Sequence, residues 1–298
     1  EVVKNDIARI LKLKNPNVVV TGFDRENLYY QVEHLTGKQK DIFIQNYIET
    51  HPNESGIIYC ATRKNVDTLY EKLLKQGVSV TRYHAGGASR QPPCPRRPGR
   101  RSIRKKSQDD FIYDRAQVVI ATNAFGMGID KSNVRFVIHY NMPQSMENYY
   151  QEAGRAGRDG EPAKCILLFS TQDVMISKLL LGSKDFEGMD FQEIEQVKHQ
   201  DSRRLQLMEG YCMTTSCLRN YILEYFGETT HQPCDNCGNC HQEFEELDMT
   251  LDAKWVVGCI TEMRGRYGQA LVIGTLLGSK KARLKDIGAT SYNCYGQL

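Results

Sequence analysis

Val118-Val-Ile-Ala-Thr-Asn-Ala-Phe-Gly-Met-Gly-Ile-Asp130 runs from a short β-branched apolar segment into a loop that holds Thr122, Gly126, Gly128 and Asp130. An apolar run this short, ended by polar and glycine residues, reads as a strand buried on both faces rather than as a helix. The signature recurs on either side. Upstream lie Gly56-Ile-Ile-Tyr-Cys-Ala61 and the alternating Val78-Ser-Val-Thr-Arg-Tyr83; downstream lie Val134-Arg-Phe-Val-Ile-His-Tyr140 and Cys165-Ile-Leu-Leu-Phe169. Between the first two, Val66, Leu69, Tyr70, Leu73 and Leu74 recur at helical spacing, with Gly77 as a stop. Strands alternating with helices predict a parallel α/β sheet over about 56–170. Ligands of such sheets collect at the carboxyl ends of the strands. The loop from Thr122 to Asp130 lies at such an end, where glycines admit a close backbone and Thr122 and Asp130 offer hydrogen bonds.

After Asp173 the strand signal stops. Residues 173–226 read as helices, with Leu218, Tyr221, Ile222 and Tyr225 on one face, and from Trp255 a third, helical segment follows. The chain has 298 residues, 40 % apolar and 25 % charged, which favours neither disorder nor a fibrous fold. No apolar run reaches the roughly 20 residues of a membrane span, and Glu1-Val-Val-Lys-Asn-Asp6 has no secretory character, so a cytoplasmic protein without membrane contact is expected, one held at the nucleoid if the source is bacterial and the resemblance given below holds. Residues 89–106 hold eight Lys or Arg, no acid and four prolines; subtracting those eight charges from the net +3 leaves −5 on the rest. Nucleic-acid binding therefore has to rest on local sites rather than on bulk charge. The four prolines predict a solvated loop over 89–106.

Cys217, Cys234, Cys237 and Cys240 form a C-x16-C-x2-C-x2-C array. Four thiolates at this spacing can close a tetrahedral zinc site, and Cys217 is expected to open a helix whose positive end favours the thiolate. Free thiols and an iron–sulfur cluster are the alternatives. A bacterial ferredoxin run needs a further C-x3-C-P step, whereas His241-Gln-Glu-Phe follows Cys240. Cys212 is read as a packed thiol, and His231 and His241 as neighbours of a site that four cysteines already complete.

In Tyr149-Tyr-Gln-Glu-Ala-Gly-Arg-Ala-Gly-Arg-Asp-Gly160, a continuous helix would place Gln151, Arg155 and Arg158 on one face. Guanidinium groups beside small residues suit a phosphate-facing surface, because Arg offers planar donors with permanent charge. A solvated basic face is the bland alternative, and two glycines would then weaken the helix without return.

Together these segments resemble the second motor lobe of the RecQ DNA helicases: Ile57 to Arg63, Tyr83-His-Ala-Gly86, Ala121 to Lys131, Val134 to Tyr140 and Gln151 to Arg158. The cysteine array with Tyr225-Phe-Gly-Glu228 resembles that family's zinc-binding subdomain, and the region from Asp252 the opening of its winged helix. The resemblance implies an α/β, RecA-like lobe over 22–185, a helical zinc-binding subdomain over 186–248 and an incomplete winged helix over 249–298. Residues 1–21 would be the tail of a first RecA-like lobe. It further implies a 3′-to-5′ DNA-unwinding motor of repair and recombination acting on single strands and duplex junctions, with single-strand-binding or repair proteins as possible partners.

By the resemblance, Arg158 is the arginine finger, Arg155 and Gln151 share its motif, Thr122, Gly128 and Asp130 couple nucleotide to the DNA strand, and Arg63 and His84 lie in flanking motifs. The chain holds no G-x-x-x-x-G-K-[ST] loop and no Asp-Glu-x-His box. ATP and Mg2+ therefore require the first lobe, and the chain alone is expected to be inactive. The stretch 89–106 stands where the family has a short acidic-polar helix; an insertion and a reading-frame slip recovering near Lys105 both fit it. A non-enzymatic zinc-containing DNA- or partner-binding module is the competing reading, and an RNA helicase, which the zinc array disfavours, is a third.

Overall fold

Six parallel strands form one sheet in the order β1-β6-β5-β2-β4-β3, with β1 Leu28–His34, β2 Ser55–Tyr59, β3 Val80–Tyr83, β4 Val118–Ala121, β5 Val134–His139 and β6 Ala163–Phe169. The computed structural model describes residues 6–7, 9–14, 16, 22–84, 100–123, 130–182, 186, 188, 190–230, 232–245 and 247–298. The expected parallel sheet is present, with one more strand than the apolar runs indicated. That strand, β1, pairs with β6 from Leu28 opposite Ala163 to His34 opposite Phe169. As an edge strand it buries Leu28 and Tyr30 and leaves the rest partly open, so it lacks a continuous apolar run.

Side chains alternate across the central strands and build two cores. Ile58, Ile120, Phe136, Ile138, Ile166 and Leu168 pack under the helices α1 Gly37–Thr50 and α2 Arg63–Lys75, through Ile44, Ile48, Val66, Leu69 and Leu73. On the other face, Ile57, Tyr59, Val137, Cys165 and Leu167 share a core with Tyr149, Met208, Tyr211, Leu218 and Ile222. The sheet thus buries its second face partly under the helices that lead to the cysteine cluster. Gly56 makes the first core possible: a Cβ there would sit 1.9 Å from Cε2 of the Phe136 ring.

The basic stretch departs from expectation. Residues 89–99 lie outside the described residues, but helix α3 spans Arg100–Ile112, so its C-terminal part is not a loop. The last proline is Pro98, and beyond it nothing breaks a helix, which Phe111 anchors in the core.

Helices α4 Met146–Ala153, α5 Thr171–Gly182, α6 Phe191–Met213, α7 Leu218–Tyr225 and the short α8 Gly238–His241 complete a first compact unit that ends at Glu243. A second unit, Phe244–Leu298, contains α9 Thr250–Glu262, α10 Gln269–Leu276, α11 Ala282–Asp286 and a 3-10 turn at Ala289–Ser291. Its core is Cys259, Met263, Val272, Leu276 and Cys294. The Glu262 carboxylate closes it by accepting from Asn293 Nδ2 (2.7 Å) and from the Asn293 and Cys294 backbone N–H groups (3.3 Å each). Among the described residues no helix is long and apolar enough to cross a membrane.

Candidate functional site

Parallel strands deliver their carboxyl ends to one edge, and the chain places polar residues there. After β2, Thr62 caps α2 by accepting from Asn65 N–H (3.2 Å), which leaves Arg63 exposed in the first turn. After β3, His84 Nε2 lies 3.3 Å from Asp67 Oδ1. Beyond β4, Thr122 is buried and its N–H donates to Tyr83 O (3.2 Å). Gly126 and Gly128 lie outside the described residues.

Asn141, just past β5, ties this edge together. Its Oδ1 accepts from Ala61 N–H (3.1 Å) and Asn65 Nδ2 (3.0 Å), and its Nδ2 donates to Asp173 Oδ1 (2.8 Å). Asp173 Oδ2 in turn accepts from the buried Lys40 Nζ (2.7 Å) and Ser170 N–H (2.8 Å). An ion pair held this far from water is tolerable because further hydrogen bonds satisfy both groups.

The arginine segment is not one helix. α4 ends at Ala153, Gly154 is its C-cap, and Arg155 to Asp159 form turns, so Gln151, Arg155 and Arg158 do not share a helical face. The bonding tightens to i→i−3 past Ala153, with Arg155 N–H to Glu152 O (3.3 Å) and Ala156 N–H to Ala153 O (3.0 Å), and at Gly157 the backbone turns left-handed (φ +54°), where a Cβ would lie 2.4 Å from Asn27 Nδ2 and 2.7 Å from Glu161 O. The break separates the three side chains. Gln151 is exposed; Arg155 is buried and hydrogen-bonded to Tyr59; Arg158 is exposed, with Nη1 3.7 Å from Asp130 Oδ1. Burial is the main reason the Tyr59 hydroxyl titrates above its usual range, with the Arg155 charge working against it. Tyr59 also stacks on His139, whose Nε2 lies 2.9 Å from Glu152 Oε2.

The turn is held from its far side by residues that sequence periodicity does not mark. Arg25 Nη1 donates to Gly154 O (3.4 Å), and its Nη2 donates to Ala156 O (3.2 Å) and Gly157 O (2.9 Å). Asn27 Nδ2 donates to Gly157 O (2.8 Å) and Glu161 O (2.9 Å), and Gly157 N–H donates to Val134 O (2.8 Å). A polar residue in a loop carries no signal of so distant a partner, so only the folded geometry exposes these roles.

The four cysteines converge as the spacing requires. Their sulfurs all lie within 4.8 Å of one another, with Cys234 Sγ 3.9 Å from Cys240 Sγ and Cys237 Sγ 4.0 Å from Cys217 Sγ. Zinc–thiolate bonds of about 2.3 Å in a tetrahedron give sulfur separations of about 3.8 Å, so this donor set fits Zn2+. Cys217 is the N-cap of α7 and its Sγ accepts from Asn220 N–H (3.4 Å). The Cys237 thiol titrates below its usual value: burial opposes this, and backbone N–H groups at Cys240 and Leu218 outweigh burial. Cys212 is instead packed in the core, where burial raises its thiol well above the usual range. His241 turns away, its Nε2 lying 2.9 Å from Asp235 O, and His231 lies outside the described residues.

This cluster docks on β1. Tyr30 bridges to Cys237, and Asn236 Nδ2 donates to Glu26 O (2.9 Å). The buried Arg219 on α7 donates to Asp24 Oδ1 (2.6 Å) and to the carbonyls of Arg25 (2.7 Å), Glu26 (3.3 Å) and Leu28 (2.6 Å). Tyr211 Oη donates to Tyr149 Oη (3.2 Å) and Tyr225 Oη to Glu147 Oε1 (2.7 Å), so α6 and α7 both touch the helix that precedes the arginine turn.

Three family domains match in succession: the helicase conserved C-terminal domain over residues 39–160, the RecQ zinc-binding domain over 171–241 and the RQC domain over 243–298. The chain is 42 % identical over 296 residues to ATP-dependent DNA helicase RecQ of Bacillus subtilis (strain 168), covering 99 % of this chain and 46 % of that protein. It is 36 % identical to ATP-dependent DNA helicase RecQ of Pasteurella multocida, over 98 % of this chain and 43 % of that one. With RecQ-like DNA helicase BLM of Xenopus laevis it shares 35 % identity, over 95 % of this chain and 21 % of that one. The chain thus spans less than half the length of these relatives. A helicase lobe, a RecQ zinc-binding domain and an RQC domain in this order, with this identity along nearly the whole chain, place it in the RecQ helicase family.

Proposed function

We propose that this chain is the second motor lobe, zinc module and RQC segment of an ATP-dependent 3′-to-5′ DNA helicase acting in repair and recombination. One observation carries the reading: the turn after α4 buries Arg155 against Tyr59 and leaves Arg158 exposed beside Asp130. Arg155 is held inside the lobe, and Arg158, three residues on, is at its surface. Arg158 is the arginine finger in this reading, and such a group stabilises charge that develops on the transferring phosphoryl oxygens. Thr122, Gly128, Asp130, Arg63 and His84 contact the DNA strand or relay nucleotide state to it in this reading. ATP and Mg2+ are held by a first lobe that supplies the phosphate loop, and the zinc of the four cysteines is structural.

The test compares this chain alone with the same chain joined to a nucleotide-binding RecQ lobe. The chain alone should not release phosphate from ATP. The joined protein should hydrolyse ATP when single-stranded DNA is added and should open a duplex with a 3′ tail but not one with a 5′ tail. Hydrolysis by the chain alone, or a joined protein that folds and stays inert with DNA, contradicts the reading; opening of RNA duplexes only would favour the RNA-helicase alternative.

A further inference from the structure

We propose that Arg25 is a positioning residue for the arginine turn, and that Arg219 of the zinc module holds Arg25 in place to do so. The inference rests on the reading of Arg158 as the finger, and it goes beyond it by naming what sets the finger's location. Three carbonyls of the turn, those of Gly154, Ala156 and Gly157, converge on one guanidinium at 3.4, 3.2 and 2.9 Å. They are open to an outside donor because the helix has stopped at Ala153 and the carbonyls beyond it no longer meet intrahelical N–H donors. The guanidinium reaches these carbonyls from two nitrogens of a rigid planar fork, Nη1 and Nη2, whereas an ammonium places its three donors on one nitrogen and cannot match that spread.

The backbone that carries Arg25 is itself fixed. Arg219 donates to the Arg25 carbonyl (2.7 Å), to the Glu26 and Leu28 carbonyls on one side and to the Asp24 carboxylate on the other. Arg219 is 5 % exposed and sits on the helix that Cys217 opens. Phe23 adds a second tie, stacking on Phe226 at 4.6 Å, while Tyr150 on α4 donates its hydroxyl to Phe23 O (2.7 Å). The chain of contacts therefore runs from the cysteine-bearing helix through residues 23–28 to the turn that ends at Arg158. Its consequence is that the zinc module orients the finger without touching nucleotide.

Two measurements test this. In the full-length helicase, Arg25→Lys and Arg219→Lys should each lower kcat for DNA-stimulated ATP hydrolysis by about 10- to 100-fold, as a misplacement on the order of 1 Å does, with KM for ATP unchanged. An Ile48→Val variant, altered in the core under α1 and matched for loss of melting temperature, should keep wild-type kcat, because stability loss alone does not move turnover per folded molecule. In the present chain, Arg25→Lys should speed hydrogen exchange of the Gly157 and Gly160 amides, which donate to Val134 O and Gly157 O, and leave the Cys60 amide, which donates to Ala121 O, unchanged. Wild-type kcat in folded Arg25→Lys, or unchanged exchange in the turn, overturns the proposal. If the wild-type full-length protein has no ATPase, the helicase reading fails, and the exchange measurement alone decides whether Arg25 holds the turn.

Discussion

Arg158 Nη1 lies 3.7 Å from Asp130 Oδ1, and the Asp130 side chain is 98 % exposed. The two residues come from separate motifs, one between β4 and β5 and one following α4, where the arginine turn passes the first residue of β5 and Gly157 N–H donates to Val134 O (2.8 Å). An ion pair this open is weak, because water screens it and both side chains lose freedom in making it. Asp130→Asn should leave the urea midpoint of the chain where it is; a clear drop would identify the pair as a structural anchor instead.

A Cβ at Gly56 would lie 1.9 to 2.4 Å from three carbons of the Phe136 ring. Gly56→Ala should destabilise the chain by about 1–3 kcal/mol through overpacking. In a double-mutant cycle, Phe136→Leu should recover part of that loss, giving a coupling energy clearly different from zero. Additive effects in equilibrium unfolding would show that the ring and residue 56 do not compete for space.

The Tyr225 hydroxyl ties the zinc module to α4 through Glu147 (2.7 Å). Glu147 titrates below its ordinary value: partial burial pushes it up, and the hydrogen bond from Tyr225 with its other donors outweighs that. A carboxylate with a depressed folded value adds stability above its unfolded value near 4.5, and loses it as pH falls through the depressed one. Tyr225→Phe should therefore cost less than about 1 kcal/mol at pH 7, since Glu147 is partly exposed and screened. Melting curves taken down through the acid range should show wild type and variant converge. A difference that persists in acid would assign the loss to packing of the ring.

Metal analysis of the purified chain should give close to one zinc per molecule and a colourless solution. Cys237→Ser should lower zinc content and melting temperature together, because Cys237 is both a candidate ligand and the residue that bridges to Tyr30 on β1. Stoichiometric iron with sulfide in a brown protein would contradict the assignment.

The central strands were legible because each is an apolar run too short for a helix, and the cysteines because their spacing alone restricts the chemistry. β1 was not, since an edge strand such as Leu28–His34 shows polar residues to solvent and breaks the run. Helical periodicity runs on through Arg158, but α4 stops at Ala153, and at Gly157 the backbone turns left-handed beside Asn27 and Glu161. Arg25 and Arg219 escaped for another reason. Their partners are carbonyls distant in sequence, and no local pattern reports which backbone atoms a guanidinium will meet. Pro98 misled differently, since the composition of the basic stretch continues beyond the last residue able to break a helix.

The most direct measurement is DNA-stimulated ATP turnover of Arg158→Ala in the full-length helicase, read beside thermal stability on the same sample. If the guanidinium acts on charge that develops only in the transition state, kcat should fall by a factor on the order of 10² or more, with nucleotide affinity and melting temperature nearly unchanged. Arg158→Lys should not restore it, because an ammonium lacks the planar fork. An Arg158→Ala protein that melts early but turns over ATP normally per folded molecule would contradict the finger assignment and reduce Arg158 to a structural arginine of the turn.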